Sequence, residues 1–244
     1  VHYLRGNFDD SIDVYKRLAA QNKRLQALSV YIAVCHYRQE YYEISAETVR
    51  GYLALHPDSV FATNLAACNA YQLRSGREAE EELRRLEKRY EEGSLWEDQD
   101  LLRHNLVVFR QGENALKVFP PLTDAFPEAR LNLAIHHLRA REFEPAFKLL
   151  ADFEPGNARE SALKGVALAA YGQLRGLGDV AAKAQQLFQA VGTSPSECDT
   201  VLGRQCISSF LLLKGQFDDA LVYLRTIREF MLGDDDYNWN FGLA

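Results

Sequence analysis

Small residues recur along this chain at the spacing of a helix-hairpin repeat, and that recurrence restricts the fold more than any other feature. Ser11, Ser45 and Ala79 stand 34 residues apart, and the series continues through Ala115, Ala146, Ala184 and Ala220 at intervals of 36, 31, 38 and 36. Four positions after each small residue comes a larger one: Tyr15, Val49, Leu83, Phe119, Leu150, Phe188 and Leu224. Residues four apart share a helix face, so each pair marks a close contact and a bulky contact on one stripe. Thirty-four residues is the period of the tetratricopeptide hairpin.

The corners of the hairpins are legible too. Gly6 to Tyr15 reads GNFDDSIDVY, and Gly215 to Leu224 reads GQFDDALVYL. In each, a glycine ends one helix, an aromatic packs the corner, and an acidic pair sits where the next helix exposes unpaired N–H groups. First helices are expected over Gln26–Arg38, Val60–Arg74, Asp100–Arg110, Glu128–Arg139, Arg159–Leu174 and Gly203–Lys214. Ala33, Ala67, Ala134 and Gly165 on their inner faces allow close helix approach. Pro57 and Pro127, twelve positions after a small residue, are expected to end second helices, with Pro155 acting similarly nearby.

Two stretches depart from the pattern. Tyr90 to Asp98, which holds Trp96, forms an unusual connection between the third and fourth repeats, and Gly172 to Ala182 is expected to lengthen the loop of the sixth hairpin. Val1 to Gly6 reads as the last turn of a first helix and Asp236 to Ala244 as the start of a helix without a partner. The expected fold is therefore all-α: a right-handed superhelical solenoid of tetratricopeptide-like hairpins, a single array over residues 1–244 of about seven helix pairs, cut at both ends.

Composition fits this reading. Hydrophobic residues make up 47% and charged residues 25%, enough for a sizeable core, while seven prolines and fifteen glycines are few for an all-β chain. A formal charge of −6 argues against a nucleic-acid partner. No apolar run approaches membrane-spanning length and Val1 opens no targeting sequence, so a soluble intracellular protein is expected. Cys35, Cys68, Cys198 and Cys206 form no C-x-x-C pair, which suits a reducing compartment. Cys35 and Cys68 lie within apolar helical patterns and read as small buried hydrophobes.

Catalytic signatures are scarce. The sequence holds no H-E-x-x-H, no phosphate-binding glycine–lysine loop and no G-x-S-x-G. Gly176-Leu-Gly178-Asp-Val-Ala181 matches a relaxed dinucleotide pattern but follows a helix rather than a strand. His136 and His137 diverge by about 100° on a helix and lack a third ligand at suitable spacing. The run Arg77 to Glu92 alternates charge at i, i+3 and i+4, the pattern of a solvated helix face with internal ion pairs. No catalytic, cofactor or metal residue is assigned.

What remains is surface for binding. Counting along each first helix from its small residue, Val34, Tyr37 and Arg38, then Cys68, Tyr71 and Gln72, then Leu106, Phe109 and Arg110, then Ile135, Leu138 and Arg139 point inward. They compose an apolar stripe bordered by arginines. It is either a partner groove, suited to an amphipathic helix or extended segment with acidic flanks, or a face filled by the chain itself. A co-chaperone clamp, in which lysines and asparagines grip a carboxylate, finds Val30, Val34, Leu131 and Ile135 at its positions and only Asn64 of the right kind.

Particular words go beyond repeat grammar. RHNLVVFRQGENALKVFPPLTDAFPEARLNL from Arg103 to Leu133, SECDTVLGRQCISSFLLLKGQFDDALVYL from Ser196 to Leu224, and the stretch Tyr41 to Asn69 closely resemble the intraflagellar transport protein 56 family. Agreement is poorest at Tyr90–Asp98 and Arg175–Lys183. The resemblance implies a non-enzymatic adaptor of the intraflagellar transport B complex, docked largely through intraflagellar transport protein 46. It also implies a role in bringing motility cargo into the cilium or flagellum, with residence there, at the basal body region and in the cytoplasm. It supplies no catalytic residue, cofactor or small-molecule substrate, and no nucleic-acid or membrane partner. A self-associating scaffold and a co-chaperone-like peptide-binding module stand as alternatives.

Overall fold

The structure, a computed structural model, describes residues 1–87, 99–231, 233–234, 238 and 240–242. Among the described residues every regular element is helical. They group into two compact units, Val1–Leu122 and Thr123–Ala244.

The first unit opens with a 3₁₀ turn, Tyr3–Arg5, closed by Gly6 in the left-handed region. It continues through α1 (Phe8–Gln21), α2 (Leu28–Arg38), α3 (Tyr42–Leu53), α4 (Val60–Leu73), α5 (Gly76–Glu87), α6 (Asp100–Phe109) and α7 (Ala115–Val118). The second unit holds α8 (Pro127–Arg139), α9 (Phe143–Leu150), α10 (Ala158–Arg175), α11 (Gly178–Gly192), α12 (Val201–Leu213) and α13 (Phe217–Ile227). Within each unit every helix packs on the next in the chain, which is the tetratricopeptide-like, all-α architecture read from the repeat.

The small-residue series marks fully enclosed positions. Ser11, Ser45, Ala79, Ala115, Ala146, Ala184 and Ala220 are all buried, as are Ala33, Ala67 and Ala134. Val49, Leu83, Phe119, Leu150, Phe188 and Leu224 lie in the cores beside them. At Gly165 a Cβ would come within 2.7 Å of the Phe188 ring, so this helix pair requires the missing side chain.

Helix starts follow elementary capping chemistry. Three first helices, α4, α10 and α12, use side chains: Ser59 Oγ accepts the Ala62 N–H at 3.4 Å, Asn157 Oδ1 that of Glu160 at 3.0 Å, and Thr200 Oγ1 that of Gly203 at 3.0 Å. Second helices mostly lack a side-chain cap and carry carboxylates in their first turns instead, at Asp9 and Asp10, Glu43, Glu78, Glu144, Asp179, and Asp218 and Asp219. The acidic pairs of the repeated motif are therefore helix-start charges.

Several expectations are corrected. Pro127 is the first residue of α8, not the end of a second helix; its missing N–H costs nothing in a helix's first turn. The sixth hairpin has no lengthened loop: α10 runs to Arg175, Gly176 caps it in the left-handed region, and α11 begins at Gly178. Extra residues there extend the helices, and the backbones approach closely enough that a Cβ on Gly172 would lie 3.0 Å from the Ala181 nitrogen. In the fourth hairpin the second helix is cut to Ala115–Val118, followed by a 3₁₀ turn at Pro120–Leu122. Two successive prolines remove two N–H donors that a longer α-helix would use, while Phe119 itself keeps helical angles. The expectations for Tyr90–Asp98, and for most of Asp236–Ala244, lie outside the described residues.

Candidate functional site

The residues expected to point inward lie on α2, α4 and α6 of the first unit and on α8 of the second. Its residues do not share one environment. Val34 and Tyr37 are half-buried and pack on the core formed by Val30, Ala33, Val49, Ala62 and Leu65. Tyr37 meets Tyr42 edge-on with ring centres 5.3 Å apart, and its hydroxyl accepts from Gln72 Nε2 at 3.4 Å. Burial pushes the Tyr37 phenol up to about 12, so it remains a neutral hydrogen-bonding group. Arg38 is exposed, with its guanidinium 5.9 Å from the Phe8 ring.

On α4 and α6 the stripe is more closed than the spacing suggests. Phe109 belongs to the core with Ala67, Leu83 and Leu102, and its ring lies 5.3 Å from that of half-buried Tyr71. Arg110 bonds Glu80 of α5 through Nε at 3.0 Å and Nη2 at 2.6 Å, so its charge is already compensated. That guanidinium, chiefly by its hydrogen bonds, holds the Glu80 carboxyl below the usual range despite partial burial. Leu106 remains half-buried on the wall of a hollow of about 340 Å³ with Arg103, Val107, Arg110, Lys117 and Val118.

In the second unit, Ile135 and Leu138 are half-buried and Arg139 is exposed; Leu138 packs on the core around Ala134, Ala146 and Leu150. Neighbouring His137 donates its Nδ1–H to a Glu142 carboxylate oxygen 2.6 Å away, and this tie closes the corner between α8 and α9.

The one clamp-type side chain has a structural role. Asn64 is buried and its Oδ1 accepts from Asn105 Nδ2 at 2.9 Å, linking α4 to α6; the same amide also approaches Cys68 Sγ at 3.5 Å. Burial pushes the Cys68 thiol up to about 12, and Cys206 likewise, so neither is a nucleophile near neutrality. Cys35 is fully buried and its thiol is raised by the same cause. Among the described residues no group of three or more His, Cys, Asp or Glu side chains could hold a metal ion, and no helix is long and apolar enough to cross a membrane.

Among the described residues the arrangement offers apolar contact and guanidinium groups. A family model described as Intraflagellar transport protein 56 matches residues 1–244. The chain belongs to that family. Intraflagellar transport protein 56 homolog of Caenorhabditis elegans is 30% identical over 259 aligned residues, covering 100% of this chain and 45% of that protein. The chain thus spans less than half the length of that relative. Among solved structures, one titled "Structure of Naa15/Naa10 bound to HypK-THB" aligns over 98% of this chain and 36% of its own, at 15% identity and a TM-score of 0.34, too distant to inform fold or function.

Membership of the intraflagellar transport protein 56 family agrees with the words from Arg103 to Leu133, where the sequence also hides a feature that spacing missed. The hollow lies between α6 and the four-residue α7, which lines it with Lys117 and Val118. Adjacent Pro120 and Pro121 were its available signal.

Proposed function

We propose that this chain is a non-enzymatic interaction module of the intraflagellar transport B complex that joins the transport train to motility cargo of the cilium or flagellum. The observation that carries the reading is the family match over residues 1–244. It is supported by helix-hairpin units whose inner helices present side chains for apolar and charged contact rather than a catalytic constellation. Intraflagellar transport protein 46 is the proposed principal partner within the complex, and residence in the cilium and at the basal body follows from that role.

In the first unit the accessible residues are Arg38, Tyr37 and Val34 on α2, Tyr71 on α4 and Leu106 on α6; in the second they are Ile135, Leu138 and Arg139 on α8. A partner segment with acidic flanks suits the exposed arginine of either unit, Arg38 or Arg139. Reconstitution of the B complex with the Arg38→Glu and Arg139→Glu variants tests this. Weakened retention of the chain, with unchanged thermal unfolding, is the expected result. Full retention of the doubly substituted chain removes the stripe as the binding surface, and failure of the unsubstituted chain to join the complex removes the reading itself.

A further inference from the structure

A different surface lies at one end of the first unit. There the turn over residues 22–27, between α1 and α2, meets the turn over residues 54–59, between α3 and α4, through the contact of Gln26 Oε1 with His56 Nε2. Inner helices α2 and α4 both begin at this end, with Tyr31 and Phe61 in their first turns. The two rings are 6.2 Å apart, and Tyr15 of α1 extends the row at 5.8 Å from Tyr31. Tyr31 and Phe61 are each 48% exposed, and Leu25 and Leu55, in the two turns, are exposed as well. Isolated exposed apolar residues are ordinary, but an aromatic row joined by ring contacts and flanked by leucines has the composition of an interface core.

The charge on the α1 side of the row is positive. Residues 14–31 contain four lysines and arginines and no aspartate or glutamate, in a chain of formal charge −6. Lys23 and Arg24 are exposed in the 22–27 turn and form no ion pair with another described residue. Asp58, in the neighbouring turn, already has an interaction of its own.

We propose that this end of the first unit docks an acidic amphipathic segment of a partner protein, whose apolar side chains lie across the Tyr31–Phe61 row while its carboxylates reach Lys23 and Arg24. The basic rim is too small to neutralise the several phosphates on which nucleic-acid binding depends, and the rest of the chain is acidic. The surface is separate from the stripe: its residues lie at helix starts and turns, and Arg38 and Arg139 take no part in it.

Fluorescence anisotropy of the full 244-residue chain tests the proposal. The probe is a labelled peptide with leucine and phenylalanine at i, i+3 and i+4 spacing and glutamate elsewhere, set against the same peptide with lysine for glutamate. The acidic peptide should bind and weaken as salt rises; K23E/R24E, and separately F61S, should each lose about tenfold or more in affinity while unfolding midpoints stay unchanged. Equal binding of the lysine peptide, or undiminished acidic-peptide binding by K23E/R24E, overturns it. So does binding of phosphatidylserine vesicles or single-stranded DNA without binding of the acidic peptide. R38E/R139E should leave peptide binding intact, which separates this surface from the stripe.

Discussion

Arg110 of α6 reaches back to Glu80 of α5 and binds its carboxylate through two nitrogens, joining the fourth hairpin to the third. Glu80 also receives Arg84 of its own helix, and its side chain is only 14% exposed. The carboxylate therefore depends on these cations in place of water. Arg84 and Arg110 are more open, and solvent screens part of the interaction.

Charge reversal at Arg110 accordingly should not spare the fold. Arg110→Glu is expected to destabilise the chain by roughly 1–2 kcal/mol, because it removes two charge-assisted bonds and sets two carboxylates together. Arg84→Ala, at a more exposed site of the same cluster, should cost less. Urea midpoints of both variants check the ordering, and an Arg110→Glu midpoint equal to that of the parent chain would show that the pair contributes nothing.

Overpacking provides a second expectation. Phe188 fills the space that a side chain on Gly165 would need, and Ala134 has no exposed surface. Gly165→Leu and Ala134→Trp should each destabilise by about 1–3 kcal/mol. A further consequence concerns Gly76, where a Cβ would collide with the backbone carbonyl of Phe109, which cannot rotate away as a side chain can. Gly76→Ala should therefore be poorly tolerated despite adding one carbon. Thermal midpoints indistinguishable from that of the parent chain would refute these contacts.

Architecture was more legible in the sequence than the site. Helix packing repeats a local requirement, a small residue followed four positions later by a large one, and Ala79–Leu83 and Ala184–Phe188 satisfy it in one short stretch each. The fate of an inward-facing side chain depends instead on residues far away in sequence. Arg110 is taken up by Glu80, thirty residues earlier, and the clamp-type Asn64 by Asn105, forty-one residues later. Phe109 carries the same lesson for apolar groups, since the close approach of Gly76 helps to bring it into the core. The missed features were local ones misread: Pro127 starts a helix, and Pro120 with Pro121 shortens one.

Alkaline pH should loosen the chain through two thiols, half-buried Cys68 and buried Cys206. Burial raises both Cys68 and Cys206 from an ordinary value of 9.0 to about 12 in the folded state. Below pH 9 both states hold these protons and the stability contribution is fully present. Between pH 9 and about 12 the unfolded chain ionises first, so stability falls as pH rises. Urea midpoints across this range should decline, and C68A/C206A should flatten the decline. An unaltered slope in that double variant would assign the effect to other groups.

The helix corners offer a way to stabilise the fold. After the first helices α10 and α12, the left-handed position is held by Gly176 and Gly215, at φ of 67° and 71°. The corresponding corner after α8 places Arg141 at φ 58°, where a Cβ crowds the backbone. Its N–H bonds the Leu138 carbonyl at 3.0 Å, a bond that any residue but proline preserves, and its side chain is exposed and forms no ion pair with another described residue. Replacement by glycine removes the steric cost but adds freedom to the unfolded chain, so the two effects oppose. The steric term, about 1–2 kcal/mol, exceeds the roughly 0.4–1 kcal/mol of unfolded-state entropy, and Arg141→Gly should stabilise by several tenths of a kcal/mol. Arg141→Ala keeps the Cβ while removing the charge and should leave stability nearly unchanged. Thermal unfolding of the pair separates backbone strain from side-chain chemistry, and equal midpoints for the two variants would show that the corner is not strained.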